Sequence, residues 1–482
     1  MRTGVILHII GGLMLATGAS MLLPLAFALY YRDDGLMPLA LSLGITAGLG
    51  GMLMWRHREH FSRLGALTPR EGVATVGGGW IAAGLAGALP YALGGVFPTL
   101  ADAAFESFSG FSTTGSTAMT DIESVARSLL LWRGMTHWLG GMGIIVLSLA
   151  ILPYLGVGGM QLYKAEVPGP LPDRLTPRLR DTARILWQVY ILMTIAQVFF
   201  LVLGDMDFFE ALAHTFASVA TGGFSTRNAS LGAFGVYTQW VCIVFMFLAG
   251  VNFVLHYNLL RGAGIRSFLD EEFKFYSALV LTAALVVFVQ LLPVAKSVEE
   301  AIRIALFQVV SIVTTTGFAT ADYEIWAPLS QYVLLLLMIC GGSAGSTAGG
   351  VKCMRVVVLA KLIYHEAFRL VHPSAVRPIK FNRATLPTGV ITGCVSFVAL
   401  FFLVWAASSL ALTATGLDIM TAGSAALTCL ANVGPGFGSI GPAENFAHLS
   451  AAAKWVLSFD MLLGRLELFT LLVLCFPEFW RR

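Results

Sequence analysis

The chain has 482 residues, of which 57% are hydrophobic and only 12% charged, and its mean hydropathy is +0.79. Soluble domains carry about 25% charged residues, so too few are present here to face water over most of the surface, and a lipid bilayer is the main solvent. The formal net charge of +3 says little by itself: no nucleic-acid partner is expected, and the informative feature is where the charges fall.

Apolar windows of about twenty residues recur near 5–29, 37–55, 72–95, 129–155, 185–204, 236–260, 275–294, 330–363, 388–412 and 453–477, about ten membrane spans. The first could be taken for a secretory signal, with Arg2 ahead of it and Ala26-Phe27-Ala28 at its end. Its run from Val5 to Leu29 exceeds the roughly 7–15 residues of a signal core, so it reads as a retained span. Of the 30 Lys and Arg residues, 22 lie in one alternate set of connections together with the two termini. Only seven lie in the other set, and Arg465 lies inside a span. Positively charged connections stay in the cytoplasm, so both termini are expected there. Six scattered cysteines without a CxxC pair read as small apolar fillers, and no histidine pair has metal-ligand spacing.

Four short segments then stand out: STTGS (Ser112 to Ser116), ATGGF (Ala220 to Phe224), TTTGF (Thr314 to Phe318) and NVGPG (Asn432 to Gly436). Their glycines Gly115, Gly222, Gly317 and Gly434 are 107, 95 and 117 residues apart. All four fall in the poorly basic, outer connections. Each follows a stretch too short to span: Leu100–Phe111, Phe208–Val219, Val298–Val313 and Ile419–Ala431. Such half-helices can dip into the bilayer and return, because non-helical backbone is tolerated at that depth where it lines a water-filled path. The expected fold is an all-α polytopic membrane protein. Two leading helices (1–64) precede four helix–pore loop–helix units (65–163, 164–264, 265–370 and 371–482) in pseudo-fourfold array around one pore. Backbone carbonyls can replace the hydration shell of a cation without binding it too tightly. Glycine permits the conformations that turn them to one axis, and each half-helix aims its negative C-terminal end there.

The segments WRGMTHWLGGMGI (Trp132 to Ile144), ATGGFSTRN (Ala220 to Asn228), TTTGFATADY (Thr314 to Tyr323), GGSAGSTAGGVK (Gly341 to Lys352), NVGPGFGSIGP (Asn432 to Pro442) and GRLELFTLLVL (Gly464 to Leu474) carry a family likeness. The chain resembles, over essentially its whole length, the TrkH/TrkG membrane subunits of bacterial Trk potassium uptake systems, in the superfamily with KtrB and plant HKT proteins. The resemblance implies a transporter rather than an enzyme: a multi-pass inner-membrane protein taking up K⁺, with no organic cofactor. It also implies a homodimer and a cytosolic, nucleotide-binding TrkA-type regulator. Its ion-binding residues would be Thr113, Thr114 and Gly115; Ala220, Thr221 and Gly222; Thr315, Thr316 and Gly317; and Asn432, Val433 and Gly434. Glycine in all four segments favours K⁺ within that family. The fourth departs from the Thr-Gly pattern, and a Na⁺-permeable or H⁺- or Na⁺-coupled transporter of the same fold is the alternative.

Two features lie between the outer segments and the cytoplasm. The stretch from Gly341 to Gly350, with Gly341, Gly342, Ser343, Gly345, Gly349 and Gly350, makes a poor lipid-facing helix. It reads either as close helix packing or as an unwound segment that can block the path, and the resemblance implies the latter, a gating loop. Its Gly341-to-Gly345 portion is formally GxSxG, but no strand precedes it, which leaves an intramembrane serine hydrolase at Ser343 as a remote alternative. Arg465 would cost about 2.5–3.5 kcal/mol inside the bilayer. Either it pairs with Glu467 or Asp460, or it faces the path and repels cations, as the resemblance implies. Outer acidic residues, among them Asp102, Glu106, Asp121, Glu123 and Glu210, either gather cations at the mouth or are ordinary solvated loop residues. Basic stretches at Arg174–Arg184 and Lys352–Arg383 fit anionic lipid headgroups, a regulator, or both.

Overall fold

The computed structural model describes residues 1–59, 68–151, 179–264, 268–375, 377–382 and 384–481. The expected unit boundaries at 64/65, 163/164 and 264/265, and the basic residues Arg63, Lys164, Arg174, Arg178, Arg266, Arg383 and Arg482, fall wholly or partly outside the described residues. Helices dominate: α1 (Thr3–Ser20), α2 (Leu22–Tyr31), α3 (Leu36–Arg56), α4 (Pro69–Leu93), α5 (Leu100–Phe111), α6 (Arg127–Ile151), α7 (Leu179–Val202), α8 (Phe208–Val219), α9 (Val236–Ala249) and α10 (Phe253–Asn258). They continue with α11 (Glu271–Leu291), α12 (Val298–Val313), α13 (Pro328–Ile339), α14 (Cys353–Val371), α15 (Thr388–Thr413), α16 (Ile419–Leu430), α17 (Ala451–Arg465), α18 (Phe469–Leu472) and α19 (Pro477–Trp480). A two-residue antiparallel hairpin, Lys380–Phe381 with Ala384–Thr385, sits between α14 and α15.

Among the described residues, six helices are long and apolar enough to cross a membrane, or seven if the bent pair starting at Val236 counts as one span. The outward faces of the long helices stay apolar and exposed, as at Leu281, Leu285 and Val289 of α11 and Leu403 and Leu410 of α15. That is the surface lipid would cover. The opposite faces enclose a core in which Trp132, Tyr91, Phe105, Tyr276, Phe307 and Phe318 are fully buried.

Three apolar windows differ from simple spans. Window 236–260 reads as one helix in sequence, yet it bends by 98° after Ala249. Gly250 ends α9, the Asn252 side chain accepts from Val254 N and so caps α10, and the freed Gly250 carbonyl accepts a hydrogen bond from Ser343 N at 2.8 Å. Window 330–363 breaks at the glycine-rich stretch, as its composition requires. Window 453–477 breaks after Arg465, where Glu467 and Leu468 adopt positive φ (61° and 47°). Glu467 is held there by Arg355 and Lys352.

The four half-helices share one construction. Each starts on a side-chain cap that accepts from the third residue onward: Thr99 from Asp102 N, Asp207 from Glu210 N, Ser297 from Glu300 N and Asp418 from Thr421 N. Caps of this kind contribute about 1 kcal/mol each. At 12 residues α5, α8 and α16 are about 18 Å long, against about 30 Å of hydrocarbon. They are buried on nearly every side, so they lie inside the protein rather than against lipid.

Candidate functional site

The ends of the half-helices build the site. Each helix closes on a right-handed residue, Ser112, Ala220, Thr314 or Ala431. The next residue is left-handed in all four: Thr113 (φ 54°), Thr221 (55°), Thr315 (56°) and Asn432 (56°). Glycine is the usual occupant of such a helix-ending position, and a β-branched threonine there is strained by about 1–3 kcal/mol. The strain is held by matched backbone bonds. Thr114 N, Gly222 N, Thr316 N and Val433 N donate to the carbonyls of Ser109, Ala217, Ser311 and Thr428 at 2.9, 2.7, 2.8 and 2.8 Å.

A glycine of positive φ follows: Gly115 (86°), Gly223 (81°), Gly317 (79°) and Gly434 (103°). The second segment therefore has a different register from its Thr-Gly dipeptide. Thr221, Gly222 and Gly223 match Thr113, Thr114 and Gly115, and Ala220 is the helix cap. These glycines close a ring. A methyl group on Gly115 would overlap the Gly222 carbonyl oxygen, one on Gly223 the Thr316 oxygen, and one on Gly317 the Val433 oxygen; one on Gly434 would press on the Thr114 oxygen. Each glycine thus lies on the carbonyl that precedes the next segment's glycine, and the fourth returns to the first.

Thr114 and Thr316 turn their hydroxyls sideways, to Ser112 Oγ and Thr314 Oγ1, both at 2.7 Å. Asn432 Nδ2 donates to Thr114 Oγ1 (2.9 Å) and to the Met461 carbonyl (2.9 Å), so the amide ties the fourth segment to the first. Behind the second segment, His137 Nε2 lies 3.3 Å from Phe224 N and its Nδ1 lies 2.9 Å from the Gly110 carbonyl. Both contacts are satisfied by a neutral ring carrying its proton on Nδ1.

Beyond the ring, the four outgoing segments are bonded to one another in the same cyclic order. Ile122 N donates to Asn228 Oδ1 (2.8 Å), Gly232 N to Ala319 O (3.2 Å), Tyr323 Oη to Gly436 O (2.8 Å) and Phe446 N to Thr117 O (2.8 Å). They enclose a mouth cavity of about 140 Å³ lined by Gly115, Gly223, Gly317 and Gly434. At this mouth, burial, Asp322 and Glu444 raise the Glu324 carboxyl above the usual carboxylate range, partly offset by a bond from Gly438 N. Several outer acids are already paired with bases: Asp102 with Lys454, Glu106 with Arg133, and Glu210 with Arg227. These three are braces more than free counter-charges for an entering cation. Arg133 is the most embedded: it bonds Glu106 at 2.6 Å and the Ser225 carbonyl at 2.8 Å, and lies 3.5 Å above the Phe224 ring. Arg133→Met should lower stability by about 3–5 kcal/mol, because it leaves Glu106 buried without a counter-charge. The measurement is thermal unfolding in detergent, in which adding Glu106→Gln should restore part of the loss.

On the other side of the ring lies the glycine-rich stretch. Its neck is pinned by Gly341 N to Val351 O (3.1 Å) and Val351 N to Ile339 O (2.9 Å). Its tip reaches the half-helix ends: Gly349 N donates to Thr315 Oγ1 (2.7 Å) and Thr347 Oγ1 to Val219 O (3.1 Å). A methyl on Gly349 would overlap the Ala431 carbonyl, so side-chain-free backbone is what brings the loop this close. Glu272 anchors its base by accepting from Ala344 N (2.7 Å) and Met354 N (3.0 Å). Gly345 and Gly350 take positive φ, 71° and 69°. Arg465 crosses beneath the ring, donating from Nη1 to Thr347 O (2.7 Å) and from Nη2 to Gly140 O (3.1 Å). Neither expected carboxylate neutralises it: Glu467 holds Arg355 and Lys352, and Asp460 accepts from Ser408 Oγ. The Ser343 hydroxyl is buried without a hydrogen-bond partner, and His256 Nε2 is turned to the Leu248 carbonyl rather than to Ser343.

Sequence reasoning missed Gly223, His137, Thr347 and Glu272. The first was visible only as the second of two adjacent glycines. Each of the others has a partner more than 70 residues away along the chain.

Residues 45–481 match the TrkH family model, described as a cation transport protein. The chain is 41% identical over 486 aligned residues to the Trk system potassium uptake protein TrkH of Escherichia coli K12, covering 99% of both chains. It is 37% identical to the protein of the same name from Halomonas elongata, covering 100% of both. The crystal structure of the potassium transporter TrkH from Vibrio parahaemolyticus superposes with a TM-score of 0.91 at 37% identity, again covering 100% of both chains.

Proposed function

The chain belongs to the TrkH family of cation transport proteins, and from that premise we propose that it takes up K⁺ across a bacterial inner membrane through the ring of Thr114, Gly222, Thr316 and Val433 carbonyls. The observation that carries this is the cyclic packing of Gly115, Gly223, Gly317 and Gly434, each on the next segment's carbonyl. Such a ring offers oxygens without formal charge, from which a dehydrated K⁺ can also leave. The ends of four half-helices supply about half a negative charge each. The four span–half-helix–span units then stand in pseudo-fourfold array, with α1 to α3 outside them and both termini in the cytoplasm. The loop from Gly341 to Gly350 and Arg465 form the gate below the ring. The protein works as a homodimer with a cytosolic TrkA-type nucleotide-binding regulator docked on the basic face.

Expression should restore growth of a K⁺-uptake-deficient strain at low K⁺. In proteoliposomes, ⁸⁶Rb⁺ should enter in preference to ²²Na⁺, and Gly115→Ser should lower that preference. The irregular fourth segment, with Asn432, Val433 and Pro435, favours one alternative: equal ²²Na⁺ and ⁸⁶Rb⁺ flux in the wild type would replace K⁺ selectivity with a Na⁺-permeable path.

A further inference from the structure

A cavity of about 770 Å³ opens away from the ion path, between the start of α11, the middle of α14 and the segment running into the small hairpin. Its depth follows from the helices. Lys361 and His365 stand eight and twelve residues past Cys353, where α14 leaves the glycine-rich loop. At 1.5 Å per residue that is about 12–18 Å, close to half of a hydrocarbon core of about 30 Å. Glu271, on the opposite wall, is the first residue of the spanning helix α11. Both walls therefore place the opening at one membrane surface, the basic one.

Its walls divide chemically. Phe275, Val357 and Ile379 are apolar, whereas Lys361, Arg377 and Lys380 bring cations to the same opening. Lys361 is neutralised by Glu271 and also donates to the Lys380 carbonyl at 2.7 Å. Arg377 and Lys380 have no carboxylate partner among the described residues. Arg377 is positioned over the Tyr364 and Phe368 rings, at 5.2 and 5.3 Å, the amphipathic arrangement found where protein meets headgroups. His365 Nδ1 lies buried at this wall without a hydrogen-bond partner. Unpaired positive charge at the rim and an apolar chamber of ligand size call for an anion carrying an apolar tail.

We propose that this cavity binds one anionic phospholipid, its phosphate on Arg377 and Lys380 and an acyl chain along Phe275 and Val357. Basic pockets between helices at the cytoplasmic membrane face take such headgroups. The test is native mass spectrometry of the full-length protein with added dioleoylphosphatidylglycerol or dioleoylphosphatidylcholine. Phosphatidylglycerol should remain bound one to one and phosphatidylcholine should not. Arg377→Gln with Lys380→Gln should weaken phosphatidylglycerol binding about tenfold or more, and Ala360→Trp, which fills the cavity and leaves the charges, should abolish it. Equal retention of the two lipids, or an unaffected double variant, would overturn the proposal. Displacement by millimolar inorganic phosphate would do the same in favour of a free-anion site. So would disulfide cross-linking of Tyr364→Cys between two copies that excludes the lipid. ⁸⁶Rb⁺ flux recorded on the same variants keeps this outcome separate from the transport reading.

Discussion

Replacing Gly223 with alanine should abolish K⁺-selective uptake, with a larger effect than the same change at its neighbour Gly222. Two costs combine at Gly223. Its φ of 81° lies where an L-residue is strained, at about 1–3 kcal/mol. The new methyl would also overlap the backbone carbonyl oxygen of Thr316, which cannot rotate away without dismantling the third segment. A displaced carbonyl leaves a dehydrating ion short of a ligand, and each 1.4 kcal/mol lost there is a tenfold loss of rate, so a drop of at least about a hundredfold in ⁸⁶Rb⁺ flux is expected. Gly222 lacks the positive φ, and its methyl would meet the His137 imidazole, a side chain. Gly222→Ala should therefore be partly rescued by shrinking His137, whereas no side-chain change should rescue Gly223→Ala. Equal loss at both positions, with rescue at both, would remove the assignment of Gly223 to the ring.

That contrast shows what the sequence carries and what it leaves open. The half-helices were legible because their signals are local: Thr99, Asp207, Ser297 and Asp418 as caps, a stretch too short to span, then glycine. Their limits agree with expectation except that Ala431 is a cap rather than the last helical residue. Register in the second segment was not legible. The geometry common to the four segments is a left-handed residue two places before a glycine, and Ala-Thr-Gly-Gly satisfies the Thr-Gly dipeptide one residue too early. The 98° bend after Ala249 was hidden for another reason. Both flanks are apolar, and the partner that takes up the exposed Gly250 carbonyl, Ser343 N, is 93 residues away. Composition marked the glycine-rich stretch as irregular; only the fold shows that it rests against Thr315 and Val219. In the same way acidic loop residues look like a cation funnel until Lys454, Arg133 and Arg227 are seen to pair with them.

Arg465→Ala should raise K⁺ flux, and the magnitudes separate this from a structural role. Arg465 is 3% exposed, and its guanidinium is held by two neutral carbonyls, Thr347 O and Gly140 O, with Nε unpartnered. Its charge is therefore not cancelled by an ion pair among the described residues. For a cation passing at roughly 8 Å, with an effective dielectric of about 20, the repulsion is about 2 kcal/mol. Removing it should speed ⁸⁶Rb⁺ entry about thirtyfold. Stability should fall by at most about 3.5 kcal/mol. The two charge-assisted bonds are worth about 1.5–3 kcal/mol each, set against a cost of about 2.5–3.5 kcal/mol for burying the charge at all. Freeing Thr347 also loosens the loop from Gly341 to Gly350, which acts in the same direction as the lost repulsion. Arg465→Lys separates the two contributions. It keeps the charge, but as a compact point that cannot reach Thr347 and Gly140 together, so its flux should fall between wild type and Arg465→Ala. Unchanged flux with a large fall in melting temperature for Arg465→Ala would make the residue a packing element and remove it from the proposed gate.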